Sequence, residues 1–483
     1  MKKKYFIVSF IIIIVLCIIT TPIVLQNDTF YTIKIGDFII HNGIDMFDHF
    51  SIHTLPYTYP HWLYDCLIYL IYSISGFTSL YIFNIVCFIS LIALIFYFNN
   101  KHAKSKFISL LFTIMSILTL SSYIATRAQV ISYIIFILEY IFITNYLKKP
   151  NIKYLVGLVI LSLLLCNMHV AVWPFYFIIY IPFILEYIIA NILKKKTLFN
   201  YIEIDNNKYT KYLIITMFIA IIPGFLTPIK DTPFTYLLHI LEGNSQSFIR
   251  EHLALSITKM IGIFILSICI IAISYFSKIK MHQLFFILGL TLMALVARRY
   301  LALYVIFIFP ILAILIDKLL NLDMYILKRW LSKIGLTTTF IVLITISVVD
   351  YINDKDLEFI DTNFYPVDAT IYIKENLDYQ NIRLFNEYNY GSYLLFNDIL
   401  VFIDSRADLY TEEFNKTRDI LNDYVTKNPI ENIEEYNITH VIASKKGLLY
   451  EIVVDKYELL YEDNYFAVFE VIWLNHFGHI LFH

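Results

Sequence analysis

Apolar runs of about 17 to 22 residues recur near 5–25, 78–98, 107–125, 129–147, 153–170, 172–193, 212–229, 260–277, 283–297, 300–317 and 333–350, each closed by a short polar stretch. A helix that crosses a bilayer needs about 20 such residues, so the pattern predicts about 11 transmembrane helices in a polytopic α-helical membrane protein. After Val349 the long runs cease. "NIRLFN", "ILVFID", "THVIAS", "YELLYED" and "YFAVFEV" read as strands, and "PVDATIYIKENL", "GSYLLF" and the stretch from Glu412 to Lys427 as helices. The boundary therefore falls near 350: residues 1–350 form a multi-spanning domain with a first outer loop at 26–77, and 351–483 form a soluble α/β domain. "HWLYDCLIYLIYSISG" carries Asp65 and is too short to cross and return, so it predicts an amphipathic helix lying in the membrane interface.

Composition agrees with a bilayer. Of 483 residues 59% are apolar and 17% aromatic, and the mean hydropathy is +0.68, far above a soluble globular chain. The 37 basic and 39 acidic side chains nearly cancel, which removes the global field expected of a nucleic-acid partner. Their placement carries more information than their sum. Lys2–Lys4, "NNKHAKSK", "KKPNIK", "KKKTLF", "SKIK" and "DKLLNLDMYILKRWLSK" fall on one side when the spans alternate, and the positive-inside rule makes that side cytoplasmic. The N-terminus is then inside, and the first loop and the C-terminal domain lie outside the cytoplasmic (plasma) membrane. The first run lacks a small-x-small cleavage site and reads as an uncleaved helix. Five cysteines show no CxxC or Cys/His spacing, so they read as small core residues.

The outer side gathers a chemically mixed set of polar residues. Asp28 stands just after the first span, where a partly desolvated carboxylate can serve as a general base on a hydroxyl; an ordinary solvated aspartate would look the same. Asp37 and Asp48 share its loop. His61, Arg127, Gln129, His169, Arg250, Arg298 and Arg299 fall at outer span ends or loops, and arginines there work against the positive-inside bias. Their anionic partners are either the loop aspartates or a lipid phosphate, which a guanidinium grips by paired hydrogen bonds. The first-loop histidines have no HxH or HExxH spacing. No cofactor is required by the motifs, and a divalent cation between Asp28, Asp48 and a phosphate is compatible with them. Arg406, in "IDSRADLY" at the end of a buried-type strand, reads first as a buried salt-bridge partner and second as a ligand residue.

Asp28, Tyr31, "IG" at 35–36 and "HNGI" at 41–44 together resemble the first outer loop of bacterial polytopic glycosyltransferases of the GT-C superfamily. There an acidic residue after the first helix precedes a short helix ending in a Gly-Ile turn. "DHFS", "HWLYD", "TRAQVISY", "NMH", "ARR" and "RLFNEYNYGSYLLF…VFIDSRADLY" extend the likeness to an uncharacterised bacterial subgroup over nearly the whole chain. The resemblance implies transfer of a sugar from a polyprenyl-phosphate-linked donor to a glycan, lipid or protein acceptor outside the membrane. Asp28 would take the acceptor's proton, Asp48 would orient the acceptor or a metal, and Arg250, Arg298 or Arg299 would stabilise the departing lipid phosphate. Many members carry an Asp-Glu pair after the first helix, whereas Thr29 follows Asp28 here, which keeps Asp37 and Asp48 as rival bases. The competing classes are a transporter or flippase of lipid-linked glycans, a non-catalytic membrane protein displaying its tail as a binding domain, and an O-antigen-type polymerase or ligase. The last typically has a large late outer loop, and here the largest inter-span outer loop is the first.

Overall fold

The computed structural model describes residues 2–193, 197–198, 201–243, 254–320 and 358–472; the span expected at 333–350 lies outside them, as does Arg250. The helices begin with α1 (Lys2–Thr20), α2 (Asn27–Asn42), α3 (Trp62–Ser75), α4 (Phe77–His102), α5 (Lys106–Leu120), α6 (Ala128–Lys148) and α7 (Ile152–Met168). They continue with α8 (Trp173–Leu193), α9 (Thr210–Ile219), α10 (Thr232–Glu242), α11 (Ile257–Ser277), α12 (Met281–Val296), α13 (Leu301–Leu320), α14 (Val367–Asn376) and α15 (Gly391–Phe396). The chain divides into two compact units, residues 1–23, 75–234 and 249–356 in one, and 24–74, 235–248 and 357–483 in the other. The first loop therefore clusters with the C-terminal segment.

The first unit is a helical bundle. Among the described residues six helices, α4, α5, α6, α8, α11 and α13, are long and apolar enough to cross a membrane. The helices at four further expected runs, α1, α7, α9 and α12, are shorter, so six of the expected spans meet the length requirement. The centre of the bundle is α13, buried from Tyr304 through Leu315 against α4, α5, α11 and α12. Outward-facing α11 instead exposes Phe264, Ile265 and Ile268, a surface suited to hydrocarbon. Side-chain hydrogen bonds fasten the interior where no water can: Ser267 Oγ lies 2.8 Å from Thr291 Oγ1 and 3.0 Å from Tyr304 Oη, joining three helices. Glu139, near the middle of α6, is buried with neither carboxyl oxygen hydrogen-bonded among the described residues.

In the first unit β1 (Thr197–Leu198), β2 (Ile202–Glu203) and β3 (Ile279–Lys280) form a short sheet, and the second unit is built on a four-stranded sheet of β4 (Leu384–Phe385), β5 (His440–Ser444), β6 (Glu458–Glu462) and β7 (Phe466–Glu470), in the order β4-β5-β7-β6. The β4/β5 pair is parallel and the other two are antiparallel. "ILVFID" was expected as a full strand but pairs only through isolated bridges, Val401 with Ser51 and with Leu384. The Asn386 side chain takes the ladder's place there, accepting from Phe402 N at 2.9 Å and donating to Ile403 O at 2.7 Å.

The first loop is woven into this unit. Phe30 of α2 packs edge-on against Tyr365 and Tyr393, with ring centroids 5.0 and 5.2 Å away, and Asn27 donates to Tyr388 O at 3.1 Å. α2 ends at Gly43, whose φ of 83° favours glycine, in keeping with the Gly-Ile turn expected at this point. α3 is amphipathic as expected, burying Tyr64, Asp65 and Ile68 while exposing Leu70 and Ile74. α2 and α3 approach so closely at Gly36 that a Cβ there would stand 2.1 Å from Asp65 O and 2.8 Å from Tyr69 Cβ. Gly36→Ala must push the two helices apart. The expected cost is about 1–3 kcal/mol of unfolding free energy, read as a lowered midpoint in thermal unfolding of the detergent-purified protein; an unchanged midpoint would refute the contact.

Candidate functional site

The second unit holds two charged constellations of opposite character. In the first, Arg406 follows Asp404 by two residues and grips it with Nε (2.9 Å) and Nη2 (2.7 Å), while Nη1 reaches Asp48 of the first loop at 2.6 Å. All three side chains are at most 2% exposed. Phe50 and Tyr57 rings flank the guanidinium at 5.7 and 5.2 Å, and Tyr410 donates to Asp404 at 2.6 Å. Burial pushes the Asp48 carboxyl up, but the Arg406 charge and the hydrogen bonds from Ser51 and Phe50 outweigh it and hold it below the usual carboxylate range. Asp48, expected as a rival base or metal ligand, is thus occupied on both oxygens. The arrangement suits a structural fastener, and Arg406 takes the salt-bridge role its sequence position suggested.

The second constellation is more open. Asp28 sits half-buried in the first turn of α2, where unpaired backbone N–H groups favour an anion. His61, just before α3, directs Nδ1 to Asp65 at 2.7 Å and Nε2 to the Tyr31 hydroxyl at 3.2 Å. Burial pushes the His61 imidazolium down, yet Asp65, then Asp28 and Asp408, outweigh it and raise its pKa. Asp408 accepts from the buried Tyr236 hydroxyl. Asp28, Tyr31, His61, Asp65, Asp408 and Tyr236 therefore share one electrostatic neighbourhood in which acids face an imidazole. Only Asp28 and His61 were singled out by sequence as site candidates. The i,i+4 spacing of His61 and Asp65 could have flagged the pair, and the strand-end motif that holds Arg406 also holds Asp408, but nothing local in sequence flags Tyr236. Asp37 lies apart, its carboxylate 2.9 Å from His41 and partly exposed.

Each first-loop histidine has its own partner: His41 with Asp37, His49 with Asp45, His53 with Phe402 O and His61 with Asp65. Among the described residues no group of three or more His, Cys, Asp or Glu could hold a metal ion. The donor set for a divalent cation at Asp28 and Asp48 does not fit, because Arg406 already fills Asp48.

The first unit carries the remaining candidates at helix ends. Arg127 is the N-cap of α6, followed by Gln129, and His169, the C-cap of α7, places Nδ1 2.8 Å from Ser132 Oγ on α6. Arg298 is exposed, with Nε donating to Ala254 O at 3.2 Å. Arg299 lies 5.1 Å over the Tyr300 ring, which in turn contacts Phe175 with centroids 5.6 Å apart. Phe175 opens onto a groove of about 290 Å³, also lined by Phe136, Ile179, Pro182, Phe285, Gly289 and Phe307. Its lining side chains are all apolar.

No family model matches the chain, and no curated protein does. Solved structures do. The crystal structure of the Archaeoglobus fulgidus oligosaccharyltransferase tethered with an acceptor peptide containing the NVT sequon aligns with a TM-score of 0.59 at 13% identity, covering 92% of this chain and 69% of that one. Archaeal oligosaccharyltransferase AglB from the same organism, in complex with an inhibitory peptide and a dolichol-phosphate, aligns with a TM-score of 0.59 at 12% identity, covering 92% and 70%. At this identity the likeness is one of fold alone.

Removing Arg406 leaves two buried carboxylates facing each other. Arg406→Leu is expected to lose about 3–5 kcal/mol at neutral pH, as for a broken buried pair. Asp48 is held low in the folded state, so its stabilisation is present above the unfolded aspartate pKa of about 3.9 and disappears as pH falls through the lower folded value. Thermal unfolding across pH should therefore show the gap between wild type and Arg406→Leu narrowing as pH falls, from the point where the variant's two unneutralised buried carboxylates take up protons down to the lowered Asp48 value of the wild type. A gap that is absent at pH 7 would show that the triad contributes no stability.

Proposed function

We propose that this chain is a membrane glycosyltransferase of the GT-C type, moving a sugar from a polyprenyl-phosphate-linked donor to an acceptor, as a member of the bacterial subgroup its motifs resemble. The observation that carries the reading is Asp28, half-buried at the start of a short helix after the first apolar helix, in a chain whose fold aligns with an oligosaccharyltransferase over 92% of its length. The acceptor nucleophile attacks the anomeric carbon, its proton passes to Asp28, and the bond to the phosphate oxygen breaks with its electron pair leaving on the polyprenyl phosphate. Asp37, ion-paired with His41, and Asp48, saturated by Arg406, are the rival carboxylates of the same loop.

The groove in the first unit suits an isoprenoid chain, being apolar along its lining. Arg299, held over Tyr300 at the Phe175 end, supplies the charge for the phosphate, with Arg298, Arg250, Arg127, Gln129 and His169 as further polar groups for the donor or acceptor. In this reading the protein sits in the cytoplasmic membrane with its N-terminus inside and residues 351–483 outside, consistent with the lysine distribution. The unpartnered Glu139 is the feature that a transporter of lipid-linked glycans would use, and it keeps that reading as the alternative.

Two measurements test the proposal. Asp28→Asn is expected to lower sugar transfer from a panel of radiolabelled polyprenyl-phosphate sugars by roughly a hundred- to ten-thousand-fold with folding intact; retention of full activity removes Asp28 as the base, and the absence of transfer by wild type with every donor favours the transporter. Gly289 lines the groove, and a Cβ there meets nothing within 4 Å. Gly289→Leu should therefore fold normally, fill the groove and raise KM for long-chain donors more than for short-chain ones. Equal KM values would exclude the groove from donor binding.

A further inference from the structure

We propose that the helical bundle holds a proton-binding site between α6, α7 and α8, in which Glu139 stands as a neutral carboxylic acid at the head of a hydrogen-bond chain through Tyr180 and Tyr176. The inference concerns the first unit alone and does not depend on what the protein transfers.

Three oxygens define the site. Glu139 is 0% exposed, and among the described residues neither Oε1 nor Oε2 has a hydrogen-bond partner. The Tyr180 hydroxyl, on a side chain buried as completely, lacks one too. Both groups share one electrostatic neighbourhood with Tyr176, which stands one turn before Tyr180 on α8 with the two ring centroids 5.8 Å apart. Tyr176 ties the cluster to α7 by donating to Leu158 O at 2.5 Å. Buried polar atoms without partners are rare in native proteins, so three that gather in one place mark a site.

Counting donors fixes its state. Leu158 O can only accept, so Tyr176 uses its single hydrogen there and meets Tyr180 as an acceptor. A charged Glu139 would add two acceptor oxygens and no donor, and the one hydrogen of Tyr180 could satisfy only one of them. As an acid Glu139 adds a donor. The hydroxyls of Glu139, Tyr180 and Tyr176 then point one way, each toward the next oxygen, and the chain ends on Leu158 O. A nearby cation would change this count, but the basic residues of α6, Arg127 and Lys148, are 12 and 9 positions away, roughly 18 and 14 Å along the helix axis. Tyr176 and Tyr180 on α8 are the titratable groups that face Glu139. The other helices packed on α6, namely α4, α7 and α13, bring no charged group to it among the described residues. A bare carboxylate with a single hydrogen bond in a water-free interior is the less stable alternative, and the bound proton removes it.

Two readouts on the full-length protein in detergent test this. In infrared difference spectra between wild type and Glu139→Gln, the C=O stretch of a protonated carboxyl is expected at pH 7, well above the ordinary glutamate pKa of about 4.3. The band should shift in Tyr180→Phe, which keeps the ring and removes the hydroxyl, and that shift identifies it independently of Glu139→Gln. The second readout counts the proton in reversible unfolding. Where folded Glu139 keeps a proton that the unfolded chain has lost, folding takes up one proton. The wild-type folding constant should therefore fall about tenfold per pH unit relative to that of Glu139→Gln as pH rises above about 4.3, for as long as the folded acid stays neutral. A carboxylate band at pH 7, whether or not it responds to sodium, overturns the proposal, as does a ratio of folding constants that is independent of pH. A band left unshifted by Tyr180→Phe overturns the chain through the tyrosines.

Discussion

A charge removed from water must find its counter-charge, and in the second unit that requirement is met at Arg406. Its guanidinium has five N–H donors in a rigid fork; two go to Asp404, two positions earlier, and a third to Asp48, which is 358 residues away in the chain. Because neither carboxylate can return to water without exposing the other partners, the first loop and the C-terminal segment are tied into one cooperative unit. The aromatic contacts of Phe30 and the single-bridge pairing of Ser51 with Val401 follow the same junction. The proposed base, Asp28, is held on an element whose position depends on that junction.

The bundle obeys a different constraint, the absence of water in hydrocarbon. Helices satisfy their own backbones, and several of the remaining polar groups are small and paired, Ser267 with Thr291 and Tyr304, Asn84 with Thr126 and Asn99 with Thr113, whereas Glu139 is buried without a hydrogen bond among the described residues. Apolar side chains do the rest, and where they leave space, as along Phe136, Ile179 and Gly289, the space is a groove without polar lining. A lipid tail is the kind of ligand such a surface accepts.

The contrast between Asp48 and Asp28 explains how one acidic loop serves two purposes. Asp48 is saturated by an arginine and two backbone N–H groups, which stabilises its anion and removes it from chemistry. Asp28 stands instead on a half-buried helix end beside an imidazole whose pKa the neighbouring carboxylates raise. Proton transfer needs a carboxylate that is not locked between buried donors, a condition Asp48 does not meet.

The sequence by itself determined what is local. Apolar run length placed the helices, including those shorter than a full span, because burial in hydrocarbon acts on each segment separately. The alternation in "THVIAS", "YELLYED" and "YFAVFEV" placed β5, β6 and β7, and Arg406 was legible as a buried ion-pair partner from its place at a strand end. Tertiary structure alone decided that Asp48 is that partner, that residues 24–74 belong with the C-terminal segment, that the Asn386 amide interrupts "ILVFID", and that Tyr31, Asp408 and Tyr236 gather around His61 and Asp28. Periodicity records which face of an element is buried, whereas a hydrogen bond between residues hundreds of positions apart leaves no period in the chain, and so the identity of each partner became visible only once the chain had folded.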